Sequence, residues 1–366
     1  MAKIFKFTAI VLTAIIVAII LFVVSYVIYV AAQYYRIEDN KVLVVENNQS
    51  IVASSDDNFS IMTYNVGFGA YDKDYSFFMD VGVDKETGKK ITGKSGTATS
   101  YEHVINNING SIDLINDNIA DFVFLQEVDV NGTRSYHVNQ YDMFKSKSFS
   151  NYSQIYAENF HSAYLMYPLF DNHGLNYAGI ATFSKYKVES AVRRSYPVDD
   201  GFGKFFDLDR CFSINRVPLS NGKELTLINS HMSAYDEGGV IRHQQLKMLN
   251  DVMKAERDKG NYVIVGGDFN HDLIDGGSDF PTGQEYPAWV NKLSNKDLTE
   301  GFSIVASENA GTCRAAELPY KKGYNFEVVV DGFIVSDNIE VISINNIDNG
   351  YLYSDHNPAR MEFRLK

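Results

Sequence analysis

No charged residue occurs between Phe7 and Tyr35, and Ile10–Val30 is almost wholly aliphatic and aromatic. Few structures accommodate such a run. The hydrocarbon core of a bilayer takes ~20 consecutive apolar residues as one helix, which satisfies its own backbone hydrogen bonds. A helix buried in a soluble core would keep a polar stripe, and this one has none. Lys3 and Lys6 precede the run, whereas Arg36, Glu38 and Asp39 follow it. By the positive-inside rule the N-terminus lies in the cytoplasm and the remainder outside. Ala31 and Ala32 also suit a cleaved signal peptide, but the run exceeds the ~7–15 apolar residues usual there. The expectation is an uncleaved signal anchor over residues 1–35 of a single-pass type II protein in the cell membrane, with its catalytic domain extracellular.

Residues 36–57 are polar and are expected to link the anchor to one domain over residues 58–366, with a short strand at Val42–Val45. Ser60–Val66 and Asp121–Val128 have the form of buried strands, the second continuously apolar from Phe122 to Leu125. Further strands are expected at Gly179–Ser184, Leu225–Ser230, Tyr262–Gly266, Val328–Ser336 and Ala359–Arg364. Helical spacing appears at Tyr101–Ile119, at Gly239–Lys259 and at Trp289–Lys292. Residues 72–100, rich in Gly, Lys, Asp, Ser and Thr, have the composition of a long surface loop. Strands alternating with helices indicate a layered α/β domain.

The chain of 366 residues is 45% hydrophobic and carries a formal charge of −13. The two anchor lysines contribute +2 of that, leaving about −15 for the rest. Proteins that grip a nucleic-acid backbone present a basic face, and only short pairs such as Arg193-Arg194 and Lys321-Lys322 occur here. Nucleic acid is therefore not the favoured partner. Cys211 and Cys313 are too few for a disulfide scaffold, so the fold must rest on its core, and their pairing stays open. Small size, a bare anchor and few cysteines suggest a bacterial surface protein.

Five segments place an acid, amide or imidazole at or just past the C-terminal end of a buried strand: Thr63-Tyr64-Asn65, Gln126-Glu127-Val128-Asp129, Asn229-Ser230-His231, Gly267-Asp268-Phe269-Asn270 and Ser354-Asp355-His356-Asn357-Pro358. Ligands of open α/β sheets bind outside such strand ends. Taken singly, each has an ordinary structural explanation, such as an Asx turn at Asp268 and Asn270 or a half-buried histidine at His231. Five together do not.

In this order and at these distances the segments resemble the endonuclease/exonuclease/phosphatase family of DNase I-like enzymes, from about Ile61 to Leu365. The resemblance implies an α/β (α+β) fold, a four-layered α/β/β/α sandwich, and a phosphoester hydrolase dependent on Mg2+ or Mn2+. It implies metal ligands at Glu127, Asn65 and Asp355. It implies that Asp268 positions or deprotonates the attacking water, that Asn270 holds a phosphate oxygen, and that His231 and His356 bracket the phosphoryl group, with Asp331 orienting His356. Gly67 stands where some relatives carry an acid, which leaves the metal site lighter and its number of ions, one or two, open.

That chemistry has a physical basis in the residue types. Hydrolysis of a phosphoester must neutralise phosphoryl charge, place a water in line and stabilise the leaving oxygen. Tyr136, His137 and Arg210 are candidate substrate contacts, with Asp207 the alternative partner of Arg210. A lipid-type or small phosphoester at the membrane surface is the favoured substrate. A surface-anchored nuclease is the alternative, and an inactive binding module is disfavoured because it has no reason to keep Glu127, Asp268 and His356. No obligate protein partner is implied.

Overall fold

A computed structural model describes residues 2–199, 201–205, 208–234 and 240–366. Gly239, the expected first residue of a helix, and Asp207 lie outside the described residues. The apolar run forms a helix over Ala2–Gln33, followed by two seven-stranded sheets.

In one sheet the strands lie in the spatial order Lys41–Val42, Ser190–Ser195, Cys211–Pro218, Glu224–His231, Tyr262–Asp268, Asp331–Ser336 and Phe302–Val305. In the other the order is Ile339–Asn346, Ala359–Leu365, Asn58–Asn65, Phe122–Gly132, Asn176–Ser184, Ser153–His161 and Val45–Glu46. Strand alternation decides how these sheets stack. Ile61, Phe122, Phe124 and Ile180 from the second sheet pack with Leu225, Leu227, Ile264 and Phe333 from the first in one buried cluster. Their neighbours Met62, Val123 and Leu125 point the other way, onto Val104, Ile108, Ile112 and Ile115 of the helix Tyr101–Asp117 and onto Tyr141 and Phe144 of the helix Gln140–Lys147. On the far side, Ile228, Val263 and Val265 meet Leu249 and Met253 of the helix Val240–Asp258. The result is the α/β/β/α sandwich.

The expected strands and helices are present except at three places, and the stretch 72–100 is not all surface loop, since Val81–Val83 pairs with Lys90–Thr92 and Tyr75 and Ala98 are buried. Trp289–Lys292 is not helical: a turn at Trp289 leads into the two-residue strand Asn291–Lys292, paired with His271–Asp272. Four residues span barely one helical turn, too few for apolar spacing to distinguish the alternatives. The expected strand Val328–Ser336 is broken into Glu327–Val328 and Asp331–Ser336. The Val42–Val45 strand is two short ones, Lys41–Val42 on an edge of the first sheet and Val45–Glu46 on an edge of the second.

Residues 36–57 thus strap the open side of the sandwich. Arg36 pairs with Asp209 at 2.6 Å, the Ile37 N–H donates to the same carboxylate at 2.6 Å, and Ala53 bridges to Leu219. These contacts hold the end of the apolar helix against the domain.

Phe124 is fully buried between the sheets. Phe124→Ala is expected to destabilise the domain by about 3–5 kcal/mol, the cost of a large core truncation, and denaturant unfolding would reveal it. A loss under about 1 kcal/mol would mean that the sheets do not close over this residue.

Candidate active site

Strand register assembles the site. On the first sheet His231 lies opposite Asp268, which lies opposite Asp331, so three polar residues form one row across adjacent strand ends. On the second, Asn65 lies opposite Gln126. Both rows sit at the same end of the sandwich, beside one cavity of about 590 Å³ lined by Glu127, Arg210, His231, Asp268, Asn270, Asp355 and His356 among others.

Two backbone devices bring the acids there. Past Leu125 the strand Phe122–Gly132 slips its register against Asn176–Ser184, and Glu127 adopts φ 57°. A bulge with a non-glycine residue in the left-handed region re-aims a side chain at a local energetic cost, and here it turns Glu127 into the cavity. Gly267 has φ 144°, and a Cβ there would lie 1.8 Å from the Ser230 carbonyl oxygen. Only glycine lets the two parallel strands approach so closely beside Asp268.

Asp268 is the hub. Its Oδ2 accepts from Asn65 Nδ2 at 3.0 Å and lies 3.4 Å from His231 Nε2 and 3.8 Å from His356 Nε2. Its Oδ1 accepts the Asn270 N–H at 2.9 Å. Asn270, with φ 50°, is held at the wall by an Nδ2–H donated to the Met232 carbonyl at 2.9 Å. The segment carrying His356 is tied down by Ser354, whose hydroxyl donates to the Asn65 carbonyl at 2.8 Å.

The two histidines differ in charge. Burial alone would strip the proton from His356, but Asp331 Oδ2 lies 2.7 Å from its Nδ1 and the ring keeps its proton well above the usual histidine range. Cys313 beside it stays a neutral thiol near neutrality, pushed up to about 12 by burial, so Asp331 is the counter-charge. Protonated His356 directs Nε2–H into the cavity, and its 3.4 Å approach to Asn65 Nδ2 is a contact between two donors that both face Asp268. His231 is the reverse. Burial, then Arg210, lowers it well below the ordinary value, and its Nε2 accepts from Arg210 at 2.6 Å.

Glu127 and Asp355 are both held above the normal carboxylate range, first by burial. After burial, the charge that raises Glu127 most is Asp355. Hard oxygens crowded in this way suit a divalent cation. Alongside them Asp268, Asp331 and His356 bring ligand atoms within 4.8 Å of one another, a trio that could also hold a metal ion. The hydrogen bond between Asp331 and His356 already occupies Nδ1 of that trio.

Eight of the expected residues therefore meet in one place, and Arg210 joins them. Tyr136 and His137 do not. The single turn Thr133–Ser135 ends with both in the left-handed region, and they face solvent, His137 Nδ1 lying 2.7 Å from Asn131 Oδ1. Arg134 of the same segment lines the cavity instead, buried over the Phe68 ring and paired with Asp129 at 2.8 Å. Nothing in the sequence distinguishes its inward direction. The same holds for Tyr34, Tyr35, Phe77, Phe78 and Tyr167, which make the remaining wall aromatic. Cys211 and Cys313 are both free and buried.

Residues 62–320 match the Endonuclease/Exonuclease/phosphatase family. The chain belongs to that family. Its members hydrolyse phosphoesters. Inositol phosphosphingolipids phospholipase C of Schizosaccharomyces pombe is 23% identical over 218 residues, 53% of this chain and 47% of that protein. The chain spans about half the length of this curated relative. Among solved structures, an endonuclease/exonuclease/phosphatase from Beutenbergia cavernae superposes with a TM-score of 0.57 at 14% identity, covering 84% of this chain and 72% of that one. D. rerio TDP2, complexed with a single-strand DNA product, gives 0.52 at 17% identity over 85% of this chain and all of that one, 100%. At these identities the likeness is one of fold.

The raised Glu127 and Asp355 carboxyls fix the sign of a pH effect. Below their raised values a divalent cation must displace a proton, so its affinity rises with pH. Calorimetric titration with Mg2+ is expected to show tighter binding at about pH 8 than at about pH 6, with proton release. Affinity independent of pH would contradict the assignment of these carboxylates as ligands.

Proposed function

We propose that this protein hydrolyses a phosphoester of a lipid-type or other small substrate, by direct attack of water and with a divalent cation, on the outer side of a membrane. The observation that carries the reading is the arrangement around Asp268, a carboxylate flanked by one protonated and one neutral histidine at the floor of a cavity with an aromatic wall.

Each role follows from a protonation state. Asp268 is an acceptor within reach of a water in the cavity, and it orients that water and takes its proton. His356, charged and held by Asp331, donates from Nε2 to a phosphoryl or leaving oxygen. His231 cannot donate from Nε2 in the same way, because Arg210 already occupies that atom. The Arg210–His231 pair therefore acts as one unit, in which the guanidinium supplies the positive charge facing the phosphoryl group. Asn270 uses one of its two N–H donors on Met232 and offers the other to a phosphate oxygen.

Glu127, with Asn65 and Asp355, would hold Mg2+ or Mn2+. The cation supplies charge neutralisation at the phosphoryl oxygens. No side chain is needed as a covalent nucleophile.

A lipid-type head group is favoured on three grounds: the aromatic wall, the acidic balance of the chain, and the substrate named for the fission-yeast relative. The helix Lys3–Gln33 meets the length and composition of a membrane anchor or of a signal sequence. We take it as an anchor, with the domain outside.

The test uses full-length protein on bis(p-nitrophenyl) phosphate, p-nitrophenyl phosphate, a phosphosphingolipid and plasmid DNA. Each substrate is assayed with Mg2+, with EDTA, and with His356→Ala. EDTA is expected to abolish hydrolysis, and His356→Ala to lower it about 10²–10⁴-fold, the usual weight of a general acid. Hydrolysis that survives both changes would exclude this mechanism, and cleavage of DNA alone would reverse the choice of substrate.

A further inference from the structure

Ser162–Phe170 contains no charged residue. It forms a loop between the strands Ser153–His161 and Asn176–Ser184, closed by paired hydrogen bonds between Leu165 and Gly174 at 2.9 and 3.0 Å. At its tip three large side chains stand in the open: Tyr167 65%, Leu169 71% and Phe170 104% exposed. Scattered exposed apolar residues need no explanation, but a contiguous set of this kind marks an interaction surface.

Its position says what covers it. The loop touches the apolar helix through two tyrosines on that helix. The Tyr26 hydroxyl donates to the Tyr164 carbonyl at 3.1 Å and accepts the Met166 N–H at 3.0 Å, while the Tyr29 hydroxyl accepts the Tyr164 N–H at 3.2 Å. Counted from Phe7, ~20 residues of spanning helix end near Tyr26, so these tyrosines fall where an aromatic belt meets the head groups. The loop is docked at that same level.

Its polar groups are prepared for such a place. The carbonyls of Met166 and Pro168 accept from Asn172 Nδ2 at 2.6 and 2.8 Å, and the Tyr167 carbonyl accepts the His173 N–H at 3.2 Å. Backbone groups satisfied within the loop remove much of the cost of leaving water.

We propose that residues 164–170 are a second membrane contact, inserted in the outer interface beside the helix, so that the reactive cavity opens onto the bilayer. Leu165 and Tyr167 of the loop, and Tyr34 and Tyr35 just past the helix, line that same cavity. A lipid head group can then reach Asp268 without its chains leaving the membrane. This access route rests on the lipid reading above, whereas the insertion itself does not.

Two measurements on the full chain in phosphatidylcholine vesicles separate the claims. An environment-sensitive fluorophore is attached at Phe170→Cys, with Lys223→Cys on the exposed turn before the Glu224–His231 strand as control. The label at 170 is expected to emit to the blue, to be quenched by acyl-chain nitroxides and to resist aqueous iodide. Quenching by iodide equal to the control would overturn the insertion.

The second measurement uses the double variant Leu169→Ser with Phe170→Ser. It is expected to keep the wild-type rate on bis(p-nitrophenyl) phosphate and to lose about tenfold or more on a phospholipid-type substrate in the vesicles. Equal losses on both substrates, or none on either, would overturn the access route. A wild-type chain inert on every phosphoester would remove the hydrolase reading while leaving the depth result to stand.

Discussion

A hydrogen bond from Asn65 Nδ2 to Asp268 Oδ2 at 3.0 Å joins the two sheets at the end that carries the site, beside a second link from Gln126 Nε2 to Asn229 Oδ1 at 2.8 Å. Asn65 closes a strand of one sheet, and Asp268 closes a strand of the other. Three polar side chains of the site are placed relative to the Asn65–Asp268 link. His231 and Asp331 are fixed by register to either side of Asp268, and His356 follows because its nitrogen is held by Asp331. The sandwich core sets the separation of the sheets, so packing at Phe122, Phe124, Leu227 and Phe333 sets the geometry of the site indirectly. A close-packed interior transmits such constraints because it cannot deform continuously.

Charge is distributed as hydrolysis requires. One histidine keeps its proton because a buried carboxylate balances it, and the other loses its own first through burial and then because a buried guanidinium opposes it. Nearly equivalent side chains thus acquire opposite protonation states from their surroundings. The crowded carboxylates Glu127 and Asp355 are costly to ionise together, and burial with that crowding holds both above the usual carboxylate range.

Much of this was legible in the sequence because strands buried on both faces have continuous apolar runs and end abruptly in polar residues. Asn65, His231 and Asp268 could be placed at strand ends from that pattern alone, whereas Asp331 stood inside the expected strand Val328–Ser336 and was singled out only by the family resemblance. Other features depend on register and were not legible. The bulge that turns Glu127 inward adds one residue to a ladder, and no local propensity announces it. Tyr136 and His137 were expected inward and Arg134 was not, although all three lie within one short turn. Residues 36–57 have the composition of a linker, yet their strand pairing with both sheets comes from unpaired edges that only the folded sandwich presents. The contact between Arg210 and His231 joins the ends of two neighbouring strands, and it too depends on register.

The account stands on Asn65 and Asp268 acting as one unit across the two sheets. The direct measurement is a double-mutant cycle on phosphodiester hydrolysis with Asn65→Ala, Asp268→Ala and the pair combined. Residues of a single reactive unit show strongly non-additive losses, so the double variant is predicted to be little slower than Asp268→Ala alone. Losses that simply multiply would contradict the account, because the two sheet ends would then contribute independently.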